Sequence, residues 1–223
     1  MPKPTKLLIL LLLFNHVLQA STIWQIGRND NSSADLALGP SDYKKFLSKD
    51  FGYEDRYFLI GRSVDTQDFP YVLPGPDDTW GGTWGTSGWR THEVNILFGI
   101  KNMPADGNWK LVVDLFDSHP KKSLLKVSVN EQHSKFLLKG ASDGSLTGDA
   151  SGTERLLEIP IDKNVIKKGG NCVTITVLEG SLVVFDQVRL DGPDGVELTS
   201  NDQVFIRSVR PAGYELLEGK KKV

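Results

Sequence analysis

Two-residue alternation of apolar and polar side chains recurs along most of this chain, and that period admits a pleated strand but no amphipathic helix. Leu125, Val127 and Val129 alternate with Lys126, Ser128 and Asn130, and Val173, Ile175 and Val177 alternate with Thr174 and Thr176. Trp109, Leu111, Val113 and Leu115 share one face of a third run. Further strands are expected over Thr22 to Ile26, Arg56 to Gly61, Glu93 to Ile100, Lys135 to Leu138, Arg155 to Ile161, Leu182 to Leu190 and Gln203 to Val209. Only Ser41 to Lys49 reads as a short helix, with Ser41 as its cap and Tyr43, Phe46 and Leu47 on one side. Many short strands punctuated by Gly, Pro, Asn and Asp point to an all-β, antiparallel β-sandwich, with a jelly roll as the expected version.

The ends divide the chain. Met1 to Lys6 carries two lysines, Leu7 to Phe14 is unbroken apolar sequence, and Val17-Leu18-Gln19-Ala20 ends in a small residue before Ser21. Such an order is that of a removable export signal over 1–20, because a membrane span needs about twenty apolar residues. An uncleaved anchor is the alternative, and after removal no membrane association is expected. The sandwich is expected over 21–193 and a β extension over 194–223, which either pairs back onto it or opens a further element. Cys172 is the only cysteine, so no disulfide can form within the chain, and its strand makes it a buried packing residue. A formal net charge of −2 with interspersed signs gives no stripe that would neutralise phosphates, which argues against nucleic acid as a partner.

Chemistry concentrates in one stretch. Three of the five tryptophans, Trp80, Trp84 and Trp89, lie among Gly81, Gly82, Gly85 and Gly88, with Asp77, Asp78, Arg90 and His92 on either side. Glycines permit turn conformations, and indoles supply flat apolar faces with one N–H donor each. A loop of this composition suits the face of a sugar ring, with Arg90, His92, Asp77 and Asp78 bonding hydroxyls or a uronate. The bland alternative folds the indoles back as a cap on the sandwich. Trp24 and Trp109 fall in strands and belong to the core. As a catalytic pair, His92 and Arg90 would serve a lyase, and Asp77, Asp78 and Glu93 are carboxylates a glycosidase could use. No nucleophile elbow, zinc signature or phosphate loop is present.

One residue breaks the alternation. Asp186 is in phase with Leu182, Val184, Val188 and Leu190, so its carboxylate must be met by backbone N–H groups, an arginine or a cation. The run Asn29-Asp30-Asn31-Ser32-Ser33-Ala34-Asp35 offers hard oxygen ligands. Asp30, Asn31 and Asp186 would share a structural Ca²⁺ if the first and last strands were neighbours, while Asx turns explain the run without an ion. No other cofactor is required.

The opening Ile23-Trp24-Gln25-Ile26-Gly27-Arg28-Asn29-Asp30, then Tyr57-Phe58-Leu59-Ile60-Gly61 with Asp65 and Asp68-Phe69-Pro70, then Phe185-Asp186-Gln187-Val188-Arg189-Leu190, resemble the galactose-binding-like, carbohydrate-binding domain of rhamnogalacturonan lyase-type polysaccharide lyases. The resemblance covers roughly residues 22 to 193. It implies a jelly-roll fold, a polysaccharide or oligosaccharide ligand, and a catalytic domain or enzyme as partner. The expected function is therefore that of a secreted or periplasmic, non-catalytic carbohydrate-binding module for polysaccharide, with pectin as the suggested source. A lyase acting on rhamnogalacturonan and a structural or protein-interaction domain are the rival readings.

Overall fold

The computed structural model describes residues 21–49, 51, 56–81, 92–147 and 151–201, together with the backbone of a short ribbon at 217–218 and 221–222. The expected signal over 1–20 and the expected strand over Gln203 to Val209 lie outside the described residues. Among the described residues no helix is long and apolar enough to cross a membrane.

In chain order the strands are β1 (Ser21–Gly27), β2 (Arg56–Leu59), β3 (Val72–Leu73), β4 (Glu93–Asn102), β5 (Trp109–Ser118), β6 (Ser123–Val129), β7 (Gln132–Leu138), β8 (Arg155–Ile161), β9 (Gly169–Glu179), β10 (Val183–Gly192) and β11 (Glu197–Thr199). They form two facing sheets. The first runs β1-β10-β5-β8, with β3 also on β10; the second runs β11-β4-β9-β6-β7, with β2 also on β4. Every pairing is antiparallel except β2 with β4. The architecture is the all-β sandwich that alternation implies.

Alternation also selects the core. Leu111, Val113 and Leu115 of β5 face Val173, Ile175 and Val177 of β9 and Leu125 and Val127 of β6 across the interior, all buried. Trp24 packs on Phe98 with ring centroids 5.4 Å apart, which joins the two sheets. Trp24 and Trp109 are each 5 % exposed, as core residues should be. Cys172 departs from expectation: Val173 takes the core side, so the neighbouring thiol faces outward, half-buried, beside Thr174 and Asn95. Burial still pushes that thiol's pKa up.

The expected helix over Ser41 to Lys49 is replaced by two 3₁₀ turns, Tyr43–Lys45 and Leu47–Lys49. Asp42, not Ser41, precedes the first turn, and no side chain caps it. A segment this short cannot recover the cost of helix nucleation, so its shape follows Phe46, which is buried. Past Pro193 the chain returns to the sandwich, where β11 pairs with β4 through Glu197, Leu198 and Thr199.

β1 and β10 are neighbours, and their contact resolves the position of Asp186. Against β5, β10 pairs Phe185 with Leu115 and Gln187 with Asp114, leaving Asp186 as the extra residue of a bulge. Its two carboxylate oxygens accept the backbone N–H groups of Asn31 (3.2 Å) and Ser32 (3.1 Å). Gly27 makes the turn into that loop at φ +72, and a Cβ there would meet the Asp186 carbonyl at 2.2 Å. The Trp-x-Ile-Gly motif thus ends in glycine for a steric reason.

Candidate functional site

The turn after β3 and the start of β4 meet at one end of the sandwich. There a 3₁₀ turn, Thr79–Gly81, presents Trp80 half-buried. Its ring stands edge-on to Tyr43 (5.1 Å) and to Phe46 (5.7 Å). Phe46 in turn packs on Phe51 at 5.5 Å and on the His92 ring at 5.9 Å. Gly81 lets this turn close against β3, because a Cβ would fall 2.5 Å from Pro74. Trp80 and Tyr43 therefore form a partly buried aromatic shelf on a buried aromatic base.

Asp78 and His92, expected to bond sugar hydroxyls, are drawn into the fold. Asp78 accepts the Gly75 N–H at 2.8 Å and the Ser181 hydroxyl at 2.5 Å, which ties the loop to the β9–β10 turn. Burial raises its pKa, and these two bonds oppose the rise. His92 is 3 % exposed, and its Nε2 lies 2.6 Å from the Gly81 carbonyl oxygen. Because that oxygen can only accept, Nε2 carries the proton. Asp77 is exposed, and its backbone N–H donates to the Gly180 carbonyl. Trp84, Trp89 and Arg90 lie outside the described residues, yet the two flanks of their segment, Gly81 and His92, are joined by the histidine bond.

Two further carboxylates shape this end of the molecule. Asp117, buried at the end of β5, accepts from the backbone of Ser118, Ser142 and Thr153 and from the hydroxyls of Ser142 and Ser145. Burial pushes its pKa up, but the Ser142, Ser118 and Ser145 bonds outweigh it and hold the group below the usual carboxylate range. Asp114 accepts from the Asn29 amide at 2.7 Å, and its other oxygen is buried without a partner. Burial, with the nearby charges of Asp186 and Glu154, pushes its pKa up to about 6.

The calcium expectation meets a different arrangement. Asn31 contributes its backbone N–H, not its side-chain oxygen, and Asp186 directs both oxygens at loop donors. Among the described residues, no three acidic, His or Cys side chains gather where they could hold an ion. Hydrogen bonds from the Asn31–Ser32 backbone meet the Asp186 charge.

Sequence reasoning passed over Tyr43 as part of the site. Its signal was available in the apolar side of the Ser41 to Lys49 segment, but nothing local pairs that segment with Trp80.

A two-sheet antiparallel sandwich carrying an aromatic shelf on its end loops defines a carbohydrate-binding-module-like domain. This chain belongs to the family described as CBM-like, polysaccharide lyase family 4, domain III, which it matches over residues 22–190. It is also similar to a family 35 carbohydrate binding module from an environmental isolate, at 12 % identity and a TM-score of 0.34, covering 49 % of this chain and 72 % of the other. A CBM35 from Cellvibrio japonicus Abf62 gives 12 % identity and 0.34, over 51 % and 73 %. The GH115 4-O-methyl-alpha-glucuronidase BtGH115A gives 19 % and 0.32, over 45 % of this chain and 13 % of the enzyme. No curated protein matches the chain in sequence.

Proposed function

We propose that this chain is a secreted, non-catalytic module that binds polysaccharide of pectic type and holds an associated enzyme on it. Sugar rings stack on Trp80 and Tyr43, and Trp84, Trp89, Arg90 and Asp77 complete the surface. The observation that carries this reading is the aromatic shelf on the end loops of a CBM-like fold. Both rings pack against the core and keep part of their surface open to solvent. The non-catalytic part of the reading is supported by His92 and Asp78, on the two flanks of the tryptophan-rich segment, being committed to internal hydrogen bonds. On the scale of aromatic pairs, about 1 kcal/mol beyond area burial, stacking at a single site is weak, and linkage to an enzyme raises the effective affinity.

Titration with pectic oligosaccharides, read by tryptophan fluorescence, tests the reading. Saturable quenching that is lost in Trp80→Ala supports it. Absence of binding to any oligosaccharide overturns it, and ultraviolet-absorbing unsaturated products on incubation with rhamnogalacturonan overturn the non-catalytic part.

A further inference from the structure

The β6–β7 ribbon, at the edge of the second sheet, carries a regular cross-strand pattern. Leu125, Val127 and Val129 face the core, so the residues between them face outward. Leu124 stands opposite Leu137 and Lys126 opposite Lys135. Continuing the register one step beyond Ser123 and Leu138 brings Lys122 level with Lys139. A leucine rung thus lies between two lysine rungs, with successive rungs about 7 Å apart along the strands.

Like charges directly opposite one another destabilise a sheet. Among the described residues, Lys122, Lys126, Lys135 and Lys139 form no ion pair within 4.0 Å, and Glu179 stands beside Leu124 on the neighbouring strand. Leu137 is 66 % exposed and Leu156, on the facing edge strand β8, is 51 % exposed. Between β7 and β8 runs a groove of about 500 Å³ whose walls include three basic residues, Lys135, Lys139 and Arg155, and one acidic residue, Glu154. Gln132 closes one end by bonding Pro160 and Asp162, and Arg155 reaches the Gly140 carbonyl at the other. Arg155 Nε is buried and has no partner. Lysines alone would suffice to discourage strand pairing at an edge; that role does not account for an exposed leucine rung between them or for lysines set in opposed pairs.

We infer that this edge is a second glycan site, distinct from the aromatic shelf, which takes an extended carboxylated polysaccharide. Carboxylates of the chain meet the lysine rungs and Arg155, and the C–H faces of its rings lie on Leu124 and Leu137. The inference rests on the carbohydrate-binding reading but uses none of its residues. Since the lysine rungs are about 14 Å apart, the ligand is a chain and not a single uronate.

The test is calorimetric titration of the whole protein with galacturonic acid, a galacturonate hexamer and a neutral galactan oligomer. The hexamer binds far more tightly than the monomer, and raising salt from roughly 50 to 500 mM weakens it, since exposed charges are then screened. The double variant Lys135→Ala with Lys139→Ala loses about tenfold in hexamer affinity, the worth of two exposed charge contacts, and the neutral oligomer is unaffected. The control pair Lys163→Ala with Lys168→Ala, the same charge change on the exposed β8–β9 turn, leaves hexamer binding within about twofold. Trp80→Ala loses the neutral oligomer and the tryptophan quenching that reports the shelf, and keeps the salt-sensitive binding of the hexamer at the edge. An unchanged hexamer affinity in the Lys135 and Lys139 variant, or an equal loss in the control pair, overturns the edge site. If only the neutral oligomer binds the native protein, the edge inference alone fails; if neither binds, the carbohydrate reading fails with it.

Discussion

His92 Nε2 donates to the Gly81 carbonyl oxygen at 2.6 Å, and this bond joins the two flanks of the tryptophan-rich segment. The ring is buried against Phe46, which also supports Trp80. One histidine therefore links the aromatic shelf to the first residues of β4.

Replacing His92 by Ala leaves the buried Gly81 carbonyl without this donor and opens a gap beside Phe46. A buried polar group that loses its partner costs about 1–3 kcal/mol, so His92→Ala is expected to lower unfolding free energy by that amount in urea titrations. His92→Gln, which can still donate, recovers part of the loss.

Trp80 and Tyr43 meet edge to face, with centroids 5.1 Å apart. Taken on the scale of an aromatic pair, one ring contact is worth about 1 kcal/mol. Tyr43→Ala is accordingly expected to weaken oligosaccharide binding about fivefold, measured by calorimetry, with a smaller effect in Tyr43→Phe.

Asp117 gathers Ser118, Ser142, Ser145 and Thr153 around one buried carboxylate. Its pKa is held down in the folded state, so its contribution is full above the ordinary aspartate pKa and is lost as pH falls through the lower folded value. Asp117→Ala is expected to destabilise the protein by about 3 kcal/mol or more at pH 7, because several donors lose their acceptor together. The variant should also show a shallower loss of stability below pH 4 than the parent, in denaturant titrations at each pH.

Asp114 has the opposite sign. Its folded pKa is raised to about 6, so between the ordinary aspartate value and that one the folded protein holds a proton the unfolded chain has released. Stability from this group therefore falls as pH rises through that window and stays low above it. Asp114→Asn keeps an acceptor for the Asn29 amide and removes the buried charge. We expect it to raise unfolding free energy at pH 8 by about 1–3 kcal/mol and to flatten the difference between pH 4.5 and pH 8.

Much of the sandwich is legible because alternation records which face of a strand is buried. The expected Arg155 to Ile161 strand is β8 without change, and the expected Thr22 to Ile26 strand lies within β1. β3 is not legible, since its two residues, Val72 and Leu73, are too few to show a period and are strand only because β10 lies beside them. At the candidate site, the residue types of the loop were legible and their roles were not. Asp78 finds Ser181 across 103 positions, and Trp80 finds Tyr43 on a turn that contains no strand pattern.

Asp186 shows the division most plainly. Its place among Val184, Val188 and Leu190 determines, from sequence alone, that a charge enters an apolar strand and must be met. Only the fold decides what meets it: β1 beside β10, a bulge that sets Asp186 apart from Gln187, and the backbone of Asn31 and Ser32 turned toward it from 155 and 154 positions away. Periodicity is a one-dimensional record of burial, determined residue by residue. Partnership depends on which strands become neighbours, and no local pattern carries that information.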